Sequence, residues 1–75
     1  MNYVYNEKFC KAFGIKVREI RKDKKLSMRK FAVLADIEYS QLSRIELGQI
    51  NTTISSAYNL AQALDVAVST LFEFN

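Results

Sequence analysis

Tyr39, Ser40, Gln41, Ser43 and Arg44 fall within six consecutive residues. Their side chains suit hydrogen bonding rather than bond making. An arginine fork can donate twice to guanine O6 and N7, and a glutamine carboxamide pairs with adenine. Serine bonds base or phosphate, and tyrosine stacks or bonds phosphate. Catalysis finds no comparable set. The 75 residues contain no histidine, the single cysteine Cys10 has no imidazole partner, and no glycine loop could cradle a phosphate. No catalytic residue, metal ligand, cofactor or small-molecule ligand is assigned. Cys10 lies among Phe9, Phe13 and Val17 and is expected to be a small core residue.

The five residues need a helix to set their directions. At about 100° per residue, Leu42 and Ile45 share one side of a helix over residues 38–47. Ser40, Ser43, Arg44 and Leu47 then lie opposite, with Tyr39 and Gln41 at the borders. Gly48 is a natural stop. Four further helices are expected around this one. The first covers residues 6–24, capped by Asn6, with Tyr5 stapled onto Cys10 and with Phe9, Phe13, Val17 and Ile20 on one face. The second runs from a cap at Ser27 to Ala35, with Phe31, Leu34 and Ala35 at helical spacing. The fourth, residues 54–64, follows Thr53 and carries Ala57, Leu60, Ala61 and Leu64. A short fifth is capped by Ser69 and contains Leu71 and Phe72. "VAV" at 66–68 is too short to stand as a strand and tethers the last helix. The expected fold class is all-α, a compact five-helix bundle forming one domain over residues 1–75.

Charge divides the chain. Residues 1–44 hold all eleven Lys and Arg against five acids, a balance of +6, whereas residues 45–75 hold three acids and no base. A basic half expects an anionic partner. No apolar run reaches the roughly 18 residues of a membrane span, no signal-peptide core is present at the N-terminus, and one cysteine fits a reducing compartment. A cytoplasmic protein without a membrane partner is expected.

The order "REIR" at 18–21, "LS" at 26–27, "FA" at 31–32, "SRIELG" at 43–48 and "LAQALDV" at 60–66 resembles the Xre-type, or phage-repressor/Cro-like, helix-turn-helix family, over about residues 13–72. The resemblance implies the lambda-repressor-like version of the bundle and a sequence-specific transcriptional regulator of double-stranded DNA. Tyr39, Ser40 and Arg44 match its base readers, with Gln41 and Ser43 secondary. Ser27, Met28 and Arg29 match a phosphate anchor at the start of the second helix, and Gln49, Asn51 and Thr52 match a loop that touches phosphates. Arg21 and Glu46 match an ion pair between the first and third helices. A homodimer on an inverted-repeat operator is expected, with Tyr58, Val66, Val68, Phe72 and Phe74 as its interface.

Several positions depart from the family pattern. Lys25 and Asp36 stand where glycine is frequent, so a left-handed backbone there would carry a side chain. Glu38 replaces the usual Ser or Thr before the third helix. Leu47 and the loop after Gly48 lack the basic residues often found there. That last departure keeps an antitoxin-like protein-interaction module as the alternative, with DNA binding secondary.

Overall fold

The computed structural model describes residues 5–74. In chain order it contains α1 (Glu7–Asp23), α2 (Met28–Ala35), α3 (Tyr39–Glu46), α4 (Ile54–Leu64) and a closing 3-10 helix (Val68–Phe72). No described residue is in a strand. No helix among the described residues is long and apolar enough to cross a membrane.

The helix starts follow local chemistry. The Asn6 side chain accepts from the Phe9 N–H, Ser27 from Lys30 and Thr53 from Ser56, each satisfying a donor that has no intrahelical partner. Glu38 precedes α3 without a side-chain cap bond. The helix ends share one geometry. Lys25, Asp36, Gly48 and Asp65 all take left-handed φ, from 55° to 70°. At each, two N–H groups turn back onto the helix; after α1, Leu26 bonds Arg21 O and Lys25 bonds Lys22 O. This is the Schellman closure. Only one of the four sites has glycine, and there the reason is space. A Cβ on Gly48 would lie 2.5 Å from Lys11 Cα.

One core joins all the elements. Val17, Phe31, Leu42, Ile45, Leu60, Leu64 and Leu71 are fully buried. Three expected core positions differ. Phe9 is 49% exposed, because the first turn of α1 projects past the core, where Phe9 meets the rings of the C-terminal segment. It stacks on Phe72 and tilts against Phe74. Leu34 is 53% exposed, and Ala32 is buried instead, since α2 is covered on the side of Phe31 and Ala35. Cys10 is only half-buried, and its thiol donates to Asn51 Oδ1 at 3.4 Å.

The fifth helix is corrected to a 3-10 helix. Ala67 precedes it without a side-chain cap, and Ser69 lies inside it. Five residues hold little more than one α turn, and the tighter helix rises further per residue. That reach seats Leu71 in the core while Phe72 meets Phe13.

Candidate nucleic-acid interface

Three residues, Asp36, Ile37 and Glu38, separate α2 from α3. Leu42 and Ile45 anchor α3 inward. Its outer side presents Ser40, Arg44 and Leu47 exposed, and Gln41 and Ser43 half-exposed. Among the described residues, Ser40, Gln41, Ser43 and Arg44 make no side-chain hydrogen bond or ion pair within the molecule. Their donors and acceptors are open to a partner. Tyr39 differs, because its ring is covered by the Arg29 guanidinium of α2, 5.1 Å from the ring centroid.

The orientation of α3 is fixed by α1. Arg21 Nε donates to Glu46 Oε2 at 2.7 Å and its Nη2 to Oε1 at 3.0 Å. Its Nη1 reaches Leu26 O, in the link to α2, at 2.9 Å. Both charged residues are buried. The fork-to-carboxylate geometry supplies direction as well as energy, so one arginine locks α3, α1 and the α1–α2 link together.

Gly14 completes that lock, and sequence reasoning gave it no role. A Cβ at Gly14 would meet Ile45 O at 2.4 Å and Glu46 O at 2.5 Å. The last turn of α3 therefore lies directly on the α1 backbone. A lone glycine inside an otherwise favourable helix is the signal that could have found it. Tyr5, expected only as a staple onto Cys10, has a further role. Its hydroxyl donates to Gly48 O instead of the ring serving only as a staple, so the residue preceding α1's cap holds the exit of α3.

The two phosphate-type positions are differently occupied. The Ser27 hydroxyl is committed to the Lys30 N–H and the Ser27 carbonyl to Phe31. This leaves the N–H groups of Met28 and Arg29 as the open donors of α2, at its positive end. After α3, the Gln49 N–H closes onto Arg44 O at 2.9 Å, and its side chain is exposed. Asn51 is tied to α1 through Cys10, and Thr52 is half-buried. Arg18, Arg21, Met28, Ser43, Glu46 and Leu47 line a groove of about 210 Å³ where α1, the start of α2 and α3 meet.

The five residues expected at a dimer interface do not all reach the surface equally. Tyr58, Val68 and Phe72 are exposed, whereas Val66 and Phe74 are half-buried against the core. The Tyr58 hydroxyl accepts from Gln62 Nε2 at 2.6 Å. Ile54, at the start of α4, is 90% exposed beside them and was not expected. An apolar hollow of about 280 Å³ runs from Phe9 and Phe13 past Ile54 to Val68 and Phe72.

Compared with known families, residues 17–71 match the helix-turn-helix model. Among solved structures, the restriction-modification controller protein C.AhdI from Aeromonas hydrophila is 35% identical, with a TM-score of 0.83 over 84% of this chain and 96% of that one. An HTH_3 family transcriptional regulator from Vibrio cholerae is 26% identical with a TM-score of 0.82, over 87% of this chain but 36% of that longer one. The clp gene regulator ClgR from Corynebacterium glutamicum, 24% identical with a TM-score of 0.80 over 84% of this chain and 82% of that one, shares the fold. No curated protein matches the chain.

Proposed function

The chain belongs to the helix-turn-helix family, and on that footing we propose a DNA-binding transcriptional regulator that works as a homodimer and reads an inverted-repeat operator through the major groove. The observation that carries this reading is α3, pinned to α1 on its inner side and presenting open polar side chains on its outer side. Arg44 would pair with guanine, Gln41 with adenine, and Ser40 and Ser43 with either base edge or phosphate. The N–H groups of Met28 and Arg29, the Ser27 turn, and the loop residues Gln49, Asn51 and Thr52 would hold phosphates and fix the register.

Two copies related by a two-fold axis would place their α3 helices about 34 Å apart, one turn of duplex. The exposed face of Ile54, Tyr58, Val68 and Phe72 supports a second copy as its cover, because α4 carries no charged residue to be desolvated or repelled. The similarity to a restriction-modification controller points to regulation by concentration-dependent dimerisation. Such a regulator would act in the cytoplasm, where its operator is.

In vitro selection from a random duplex library tests the reading. An enriched inverted repeat with half-sites one helical turn apart is expected, and failure to enrich any sequence would overturn it. The absence of Lys and Arg after Arg44 favours one second reading, an antitoxin-like module that binds a protein partner. Under that reading, binding to duplex DNA would be weak and little enriched by selection.

A further inference from the structure

We infer that the Arg29 side chain reads a guanine, held in place by the Tyr39 ring, rather than joining the backbone N–H groups of α2 as a phosphate anchor. The inference rests on the DNA-binding reading above and concerns the roles of two residues within it. Arg29 is the second residue of α2 and Tyr39 the first of α3. Their contact, with the guanidinium carbon 5.1 Å from the ring centroid, brings a cation from one helix to the leading end of the other.

Held over the ring by a cation–π contact, the Arg29 guanidinium makes no side-chain hydrogen bond among the described residues, so its planar fork of N–H donors is open. Arg29 forms no ion pair among the described residues, although Asp36 and Glu38 line the same hollow beside it. Those two carboxylates argue against a phosphate there. An anion seated on Arg29 would have two like charges as neighbours, whereas the neutral edge of a base would not. Guanine O6 and N7 are two acceptors spaced for a planar fork. The stack also settles part of the side-chain freedom of Arg29 before DNA arrives. Tyr39 is then a positioning residue acting through its ring, with its hydroxyl dispensable.

The test uses the full chain and an operator taken from random-duplex selection. Each guanine of a half-site is replaced in turn by 7-deazaguanine, which removes N7 and preserves the base pair and the backbone charge. The wild-type chain should lose about tenfold in affinity at each guanine that is read through N7. At one of these positions the sensitivity should vanish in Arg29→Ala, whereas Arg29→Lys, whose ammonium keeps the charge and can still donate to N7 without the fork, should retain part of it. The sensitivity should survive in Tyr39→Phe and vanish in Tyr39→Leu, while binding of Arg29→Lys to an unrelated duplex stays at the wild-type level. Circular dichroism would establish that each variant is folded; Arg29→Lys and Tyr39→Phe conserve most of the packing and keep the test decisive.

If Arg29→Ala retains every sensitivity, or weakens all duplexes equally, Arg29 is a phosphate contact and the inference fails alone. If Tyr39→Leu keeps the sensitivity, the ring has no positioning role and the stacked-reader assignment is overturned. A wild-type chain that enriches no sequence overturns the proposed function, and this inference with it.

Discussion

Gly14 sets how closely α3 can approach α1. Alanine normally gains about 1 kcal/mol over glycine inside a helix, but here its methyl would overlap two backbone carbonyls of α3. Backbone cannot rotate aside as a side chain can, so the overlap decides the sign. Gly14→Ala should destabilise by about 1–3 kcal/mol, read as a lower midpoint in urea. Arg44 lies at the opposite extreme, exposed and unpaired. Arg44→Ala should leave thermal stability within about 0.5 kcal/mol and weaken binding to the selected operator by about 1–3 kcal/mol. Titration against an unrelated duplex provides the control. Equal losses on the two duplexes would refute base reading by Arg44.

The helix ends carry a separate cost. A left-handed residue with a side chain is disfavoured by about 1–2 kcal/mol, less for aspartate, whose short polar group tolerates that region. Lys25→Gly should therefore stabilise by about 0.5–1 kcal/mol, and by more than Asp36→Gly. Urea midpoints of the two variants would rank them, and the reverse order would count against backbone strain as the cause. The α1–α3 pairing has larger stakes. Glu46→Ala strands the buried Arg21 guanidinium and should cost about 3–5 kcal/mol, a large part of the roughly 4–11 kcal/mol expected for a domain of this length. Replacing both partners, Arg21→Met with Glu46→Leu, should recover most of that stability in the same urea measurement. Four α-helices were legible in the sequence because three of their starts are chemical, at Asn6, Ser27 and Thr53, and because the apolar residues of all four recur on one side. Phe9 and Leu34 were misplaced for a physical reason. Periodicity identifies a helix's apolar side but cannot tell where along its length a neighbour ends. The 3-10 geometry of Val68–Phe72 is likewise set by where Leu71 must reach, not by a local signal. Within the interface, the polar side of α3 could be read from spacing alone. The Arg29–Tyr39 stack and the Gly14 crossing could not, because each depends on how two separate helices meet.

For the molecule as a whole, every positive side chain lies on α1, α2, their link or α3, and none beyond Arg44. DNA affinity should therefore fall steeply with salt, losing close to one unit of log K per log unit of salt for each phosphate neutralised. A flat titration from low to moderate salt would favour the protein-partner reading. Sedimentation at micromolar concentration should show a dimer that Ile54→Glu dissociates, because that charge would be forced against an uncharged α4 face. A wild-type chain that stays monomeric both free and on DNA would refute the two-fold arrangement. The weld between α1 and α3 has a final consequence for how such a protein can acquire a new target. With Gly14 seated under two α3 carbonyls and Arg21 gripping Glu46, the α3 helix proposed to read bases has little freedom to tilt or slide. A changed operator would then be followed by exchanging individual side chains at positions 29, 40, 41, 43 and 44. Grafting those five side chains from a relative that shares the glycine and the ion pair is accordingly a direct route to redirecting the domain.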